Sequence, residues 1–265
     1  MSVCFVRGVS VFGPGLNLWV ASRPVLRGEA ALTGDAPLPP APALLAPNER
    51  RRSGLPTRLA LAVSVEATTM SGLAPDTLPC VFASSNGEGG VVHNLLTTLA
   101  GPDRLLSPTQ FHNSVHNAVA GYWSIGTGSL QPVTCVACHD WTFASALLLA
   151  GATCQVEQRS ILLCVYDAPV PLPLGAGRPT AHAFAAAFVL SPDAGPHALA
   201  ELRLSAASEN AAEEGLPRDA DLRALVAGNA AARALRLLET LALAQADSFA
   251  LALPDGQALV DVLPC

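Results

Sequence analysis

The sequence predicts an α/β layered fold, and three observations support this class. Short apolar runs of strand length alternate along the chain with longer runs of helical spacing. Runs such as 78–84 and 161–166 are almost wholly apolar, as expected for strands that are covered on both faces. Hydrophobic residues make up 51% of the 265 residues, which is enough for a large core.

The individual elements follow from apolar periodicity, from Pro-rich stretches and from glycine turns. The first half is predicted to contain a strand at 3–11, a Pro-rich loop at 35–48, a helix at 57–70, a strand at 78–84, a glycine turn at 86–90, helices at 91–100 and 110–124, a strand at 133–138 and a helix at 142–150. The second half is predicted to contain strands at 161–166, 183–190 and 199–205, a helical segment at 220–243 broken near Gly228 and Asn229, and a hairpin of 249–253 with 258–263.

Composition excludes several classes of function. A net charge of -6 gives no basic footprint for nucleic acid. The apolar run at 141–152 is shorter than the roughly 20 residues that a membrane span needs. The N-terminus lacks the pattern of a signal peptide, and the seven cysteines are odd in number, so we expect a cytoplasmic protein with reduced thiols. All basic residues are arginines, which excludes any mechanism that needs a lysine amine.

No Asp, Glu, Lys or Arg occurs between Arg104 and Asp140. One interpretation is a central strand with helices, covered on both faces within the chain. A second interpretation adds a subunit interface, because the cores of interfaces are depleted in charge. The two interpretations are compatible.

Three stretches carry a resemblance to a known family: SPTQFHNSVHNAVAG at 107–121, PVTCVACHD at 132–140, and Tyr166-Asp167-Ala168-Pro169. The first two resemble the segment before the nucleophile, and the nucleophile strand itself, of β-ketoacyl-acyl-carrier-protein synthases. All three are most similar to the β-ketoacyl-synthase-like N-terminal domain family, whose members resemble chain-length factors of aryl polyene (xanthomonadin-type) pigment pathways. The similarity is strongest over residues 78–192.

This resemblance implies a thiolase-like fold, corresponding to the N-terminal half of a ketosynthase, with a mixed sheet covered by helices. It implies a single domain over 1–265, with a core at about 57–192 and an extension at 193–265. The family spacing places Asp140 where a condensing enzyme has its cysteine nucleophile. Neither His182 nor His197 lies in a catalytic histidine motif of the family, and the family's lysine is absent.

The implied function is therefore that of a partner subunit without independent catalysis and without a cofactor. Its partner would be an active β-ketoacyl-ACP synthase, in a heterodimer that meets acyl carrier protein only indirectly. Two alternatives remain open. One is a small acyltransferase or thioesterase that uses Cys138 and His139 with Asp140. The other is a stand-alone structural domain.

Cys135, Cys138 and His139 match the C-x-x-C-H pattern of c-type haem attachment. That modification requires export, so we interpret the two cysteines as buried thiols at the end of a strand. We expect His139 to point away from Asp140 if the strand continues, and Asp140 to cap the next helix or to line a pocket. The turn at 86–90 lacks the spacing of a phosphate loop and is interpreted as a tight turn with glycines at positive φ.

His112 and His116 have the i, i+4 spacing of a metal pair, but no third ligand is evident. We therefore predict no metal site. These histidines, with Phe111, Asn113 and Asn117, are predicted to face a pocket or the partner subunit.

Overall fold

The fold is built on one mixed β-sheet, seen in a computed structural model that describes residues 1–34, 38–208 and 214–265. In chain order its strands are β1 (Ser2–Gly13), β2 (Leu16–Asn17), β3 (Cys80–Ala83), β4 (Val133–Val136), β5 (Ile161–Asp167), β6 (Phe184–Ser191), β7 (Ala200–Ala207), β8 (Asp247–Leu253) and β9 (Gly256–Pro264). Across the sheet the order is β4-β3-β5-β6-β1-β7-β9-β8, and β2 pairs with β1. Strands β4, β3 and β5 run parallel, and the other neighbours run antiparallel.

Helices lie between these strands along the chain. They are α1 (Leu18–Leu26), α2 (Pro47–Arg52), α3 (Leu55–Ser71), α4 (Gly89–Ala100), α5 (Pro108–Asn113), α6 (Ala118–Thr127), α7 (Thr142–Glu157), α8 (Leu174–Gly177), α9 (Ala220–Gly228) and α10 (Leu235–Leu243). Short 3₁₀ turns occupy Pro75–Thr77, His139–Trp141 and Ala230–Ala234. Helix α3 shows why such segments form where they do: it has a proline in its first turn and ends at Gly72 in the left-handed conformation.

Two hydrophobic clusters cover the two faces of the central strands. Along β5, Ile161, Leu163 and Val165 join a cluster that contains residues of α7, α9 and α10. The alternate residues Leu162, Cys164 and Tyr166 join a cluster that contains residues of α3 and α6. The strand β6 alternates in the same way, and every residue of both strands is buried. The predicted burial of these strands on both faces is confirmed.

The sheet and α3 come unusually close at Gly8, where the pairing of β1 with β6 shifts register after Val6. A Cβ atom on Gly8 would lie 1.9 Å from the backbone oxygen of Ala67. Glycine is therefore required at this position by the neighbouring helix. The contact fixes α3 against β1 at the distance of backbone packing.

The predicted helix at 110–124 is wrong, because the structure divides it into α5 and α6. Ser114 ends α5: its hydroxyl donates to the carbonyl of Phe111 at 2.8 Å, and its backbone N–H reaches the same oxygen. The ring of His116 then contacts the backbone oxygen of Ser84 at the end of β3, with Nε2 at 3.0 Å. This tertiary contact competes successfully with the local helical preference of the segment.

Other boundaries differ in smaller ways. The strand predicted at 133–138 ends at Val136, and the helix predicted at 142–150 continues to Glu157. Helices α1 and α2 were not predicted, and each contains a proline. The expected break near Gly228 is confirmed, since a 3₁₀ turn separates α9 from α10. Residues 35–37 of the predicted Pro-rich loop lie outside the described residues.

Strands β7, β9 and β8 of the C-terminal segment pair onward from β1, and so extend the same sheet. In the part of the chain that the structure describes, no helix is both long and apolar enough to cross a membrane.

Candidate functional site

A sharp turn joins the edge strand β4 to α7 and carries the residues at the predicted nucleophile position. His139 has a φ of 52°, a left-handed conformation that is uncommon for a residue with a side chain. The Thr142 hydroxyl supports the turn, because it accepts from the backbone N–H of Cys138 at 3.0 Å and donates to the carbonyl of His139 at 2.7 Å. The turn follows the carboxyl end of a parallel strand, where the binding sites of open α/β sheets commonly lie.

Arg178 joins this turn to the connection between β5 and β6. Its Nη2 lies 2.8 Å from Asp140 Oδ1, and its Nη1 lies 3.0 Å from His139 Nε2. The same Nη1 also lies 3.5 Å from His139 Nδ1, so the guanidinium stands beside both ring nitrogens. That Nδ1 lies 3.4 Å from Asp140 Oδ2. The expectation that His139 points away from Asp140 is therefore wrong, because the strand ends before reaching them.

Opposing effects act on the Asp140 carboxyl. Partial burial on its own would raise the pKa of Asp140, but the hydrogen bond and charge of Arg178 outweigh it. With smaller contributions from His139 and Arg233, the pKa of Asp140 falls below its usual range. The sequence predicts one of two roles for Asp140, a helix cap or the lining of a pocket. No side-chain cap is formed at the start of α7, and the Asp140 carboxylate lines a cleft.

Asp167 forms the centre of a buried polar network behind the turn. Its Oδ1 accepts from the Ser84 hydroxyl at 2.8 Å and from the backbone N–H of Asn86 at 2.9 Å. The Asn86 amide donates in turn to the Thr180 hydroxyl at 2.8 Å. Burial raises the pKa of Asp167 to about 6, despite these hydrogen bonds and the nearby charge of Arg178. Asp167 is the last residue of β5, and Tyr166 precedes it in the same strand.

The glycine turn lies beside this network. Gly87 has the expected positive φ, at 55°, whereas Gly89 and Gly90 begin α4. Glu88 is buried and accepts from the Thr57 hydroxyl at 2.6 Å. Burial raises the pKa of Glu88, although its hydrogen bonds with Thr57 act in the opposite direction. The segment therefore ties the start of α4 to α3.

The five residues predicted to face a pocket or partner fall into two groups. Phe111, His112 and Asn117 are exposed. Asn113 is buried, where it accepts from the Tyr122 hydroxyl and donates to a backbone carbonyl, and His116 is half-buried against Ser84. Residues 112 and 116 do not share a helix. Among the described residues, no group of three or more His, Cys, Asp or Glu side chains could hold a metal ion.

All seven cysteines are free thiols. Cys138 is half-buried, and within the described residues its thiol makes no hydrogen bond to His139 or to any other group. Burial raises the pKa of Cys135, its neighbour in the C-x-x-C-H motif. Cys138 and His139 therefore lack the hydrogen bond by which a base would activate a thiol.

Replacing Arg178 should raise the pKa of Asp140. We expect Arg178→Gln to move the titration of Asp140 upward, as followed by carboxyl-carbon NMR and assigned with Asp140→Asn. A lowered pKa in the folded state stabilises the protein above the unfolded value. The part of the loss in unfolding free energy that comes from this ion pair should therefore be present at neutral pH and vanish in acid. Because the Asp140 side chain is 43% exposed, this loss should stay below about 1 kcal/mol.

The control for that experiment is Arg203→Gln, which removes an exposed arginine paired with Glu201 on β7. It should leave the titration of Asp140 unchanged. An Asp140 carboxyl that titrates alike in the native chain and in Arg178→Gln would contradict the assignment.

Asp167 should make the unfolding free energy depend on pH in the sense opposite to that of Asp140. Its folded pKa of about 6 lies above the ordinary 3.8, so the unfolding free energy should fall as pH rises between these values. The fall should be on the order of 3 kcal/mol, at about 1.4 kcal/mol per pKa unit. Urea unfolding across this range should show it in the native chain and not in Asp167→Asn. Asp255→Asn, in the exposed turn after β8, should keep it.

Comparison with solved structures shows the same architecture in proteins of low sequence identity. The chain matches a structure of the ketosynthase ApeO in complex with its chain length factor ApeC from Xenorhabdus doucetiae, at 18% identity and a TM-score of 0.73, over 99% of each chain. It matches the ishigamide ketosynthase/chain length factor at 15% identity and a TM-score of 0.71, over 100% of this chain and 99% of that one. At these identities the likeness establishes the fold, and the predicted thiolase-like architecture is confirmed.

A third match is AntDE:AntF, a type II PKS acyl-carrier protein in complex with its ketosynthase bound to the hexaketide. It has 11% identity and a TM-score of 0.75, over 100% of this chain and 99% of that one. No curated protein matches the chain. The family model of the β-ketoacyl synthase N-terminal domain matches residues 27–248, which is most of the sequence. The chain therefore belongs to the β-ketoacyl synthase N-terminal domain family.

Proposed function

We propose that this chain is a chain-length-factor-type subunit that pairs with an active β-ketoacyl-ACP synthase and has no condensing activity of its own. It would act in the cytoplasm, in the synthesis of an aryl polyene or a related polyketide. The observation that carries this proposal is the apolar segment, defined as residues 89–136, from α4 to β4. Within it, Asp103 and Arg104 are the only charged residues.

The apolar segment leaves many hydrophobic side chains uncovered. Helix α4 has 12 residues and no charge, yet only Gly89 and Leu95 are buried. Seven of the seventeen exposed large hydrophobics found in the described residues lie in this segment: Leu96, Leu99, Leu105, Phe111, Val115, Ile125 and Leu130. Monomeric proteins rarely leave such a concentration of apolar groups in water, so we expect a partner protein to cover it.

The strand at the end of the segment supports the same conclusion. Strand β4 pairs with β3 along one side, and in the described part of the chain no strand pairs with its other side. All four of its residues are at least partly exposed. An open strand edge presents unpaired backbone groups and is a ready template for pairing with another chain.

An open cleft in the same region is suited to shaping a cavity once a partner covers it. It has a volume of about 430 Å³, and Tyr122, Ile125 and His112 are among the residues that line it. Glu49 and Arg52 line it as well. The volume is within the range of small-molecule sites. We expect this cleft to contribute one wall of the space in which the partner elongates an acyl chain.

The turn after β4 supports the absence of condensation. A condensing enzyme forms a thioester on a cysteine thiolate. Here the family position holds the Asp140 carboxylate, which is paired with Arg178 at 2.8 Å. The proteins with the same fold include a ketosynthase in complex with its chain length factor, and an acyl-carrier protein in complex with its ketosynthase. By analogy, the catalytic cysteine and the contact with carrier protein would belong mainly to the partner.

The decisive experiment is co-expression of the tagged chain with the ketosynthase encoded nearest to it, followed by pull-down and size-exclusion chromatography. We expect a one-to-one complex. Phe111→Asp and Ile125→Asp alter side chains that are 62% and 61% exposed, so folding should be preserved. Each should weaken binding by about thirtyfold or more if its side chain is a central contact.

The matched control is Val20→Asp, because Val20 is an exposed apolar residue on α1, at 77% exposure, outside the apolar segment. It should leave the affinity unchanged. A well-behaved monomer that ignores the ketosynthase would refute the proposal, as would an equal loss of binding in all three variants.

Cys138 should be dispensable for product formation. In the purified complex we expect Cys138→Ser to leave the rate of condensation unchanged, because the thiol has no activating base. The measurement is the incorporation of a radiolabelled extender unit into acyl carrier protein. Labelling of the isolated chain by an acyl thioester, with loss of that labelling in Cys138→Ser, would instead favour the acyltransferase alternative.

A further inference from the structure

A second cleft lies beside the turn after β4, and three arginines are among the residues that line it. Its volume is about 260 Å³. It lies between the turn after β4, the connection before β6, residues 214 and 216, and the end of α9 with the 3₁₀ turn that follows. It shares no lining residue with the apolar segment, so a ligand bound there would not depend on the proposed partner.

The charges around this cleft do not balance. Arg178, Arg223 and Arg233 line it, together with the carboxylates of Asp140 and Glu214. Arg178 pairs with Asp140 at 2.8 Å, and Arg233 with Glu214 at 3.4 Å. Among the described residues that line the cleft there is thus one more positive charge than negative charge, in a chain whose net charge is -6.

The surplus charge belongs to Arg223. Its Nη1 donates to the backbone carbonyls of Pro217, at 3.0 Å, and Arg218, at 2.6 Å. No carboxylate of the described residues pairs with it. The backbone contacts fix the position of the guanidinium and leave its other N–H groups available.

Three of the buried polar atoms without a hydrogen-bond partner in the described part of the chain lie in the network behind this cleft. They are Arg178 Nε, on a residue that lines the cleft, and Asn86 Oδ1 and Asp167 Oδ2. Two residues that line the cleft connect it to this group: Thr180 accepts from Asn86, and Asn229 donates to the backbone oxygen of Asp167 at 3.2 Å. Few native proteins leave several such atoms together without a polar ligand or water.

We propose that this cleft binds a small anion, a carboxylate or a phosphate monoester, through Arg223 with Arg178 and Arg233. Guanidinium groups match the planar geometry of these anions and can bind them with two parallel hydrogen bonds. The positive surplus disfavours a cation. The volume lies below the usual range for drug-sized ligands, which limits the occupant to a small molecule or to the end of a longer one.

The test is thermal unfolding of the full chain in inorganic phosphate and in succinate, with sodium chloride holding ionic strength constant. A bound anion raises Tm in a saturable manner. We expect Arg223→Gln to weaken the apparent affinity about tenfold or more, as for loss of hydrogen bonds to a charged group. Arg233→Gln provides a second variant, and Arg203→Gln, on the distant ion pair of β7, should bind as the native chain does.

The outcomes separate the two ligand classes. A saturable response to phosphate alone identifies a phosphate site, and a response to succinate alone identifies a carboxylate site. The proposal is overturned if neither anion gives a saturable shift. It is also overturned if Arg203→Gln loses the response to the same extent as Arg223→Gln and Arg233→Gln, since that would indicate a general effect of anions on the protein surface.

Discussion

The burial of β5 and β6 on both faces is the constraint on which the rest of the structure depends. Because each side chain enters one of two cores, the run from Ile161 to Tyr166 has no position that could hold a charge. The first charged residue, Asp167, comes where the strand ends, and its Oδ1 accepts a hydrogen bond from the Ser84 hydroxyl at the end of the neighbouring strand. Charged groups near β5 and β6 are therefore confined to the strand ends. The connection that carries Arg178 begins at one of these ends.

Because β4 lies at the edge of the sheet, it affects both the turn that follows it and the surface beside it. Its C-terminal end leads into the turn of His139 and Asp140, and its outer edge is open. In a condensing enzyme such a turn presents a nucleophile. Here the guanidinium of Arg178 contacts the side chains of both His139 and Asp140, so it links the turn to the connection before β6. A structural ion pair at this position is consistent with catalysis residing in another subunit.

Sequence reasoning succeeded where local pattern and burial agree, and failed where a distant contact decides. The strands and α3 follow from apolar runs and turn residues. The division of 110–124 does not, because it depends on His116 reaching Ser84 across 32 positions. Arg178 was missed because it is a single charge in a Pro-rich connection, and its partners are assembled only by the sheet. The left-handed backbone of His139 has no glycine to signal it.

Many of the chain's exposed apolar residues lie in one part of the structure. A mean hydropathy of +0.39 with only 14% charged residues leaves more apolar surface than one sheet needs to cover its faces. Helices α3 and α7 each have many residues buried in the two hydrophobic clusters, whereas only two residues of α4 are buried. Isolated helices of this length are marginal in water, and most helical stability comes from packing of an apolar face. Much of the surplus hydrophobicity thus lies in the apolar segment that begins with α4 and that the described chain leaves uncovered, which is the arrangement expected where another protein covers the surface.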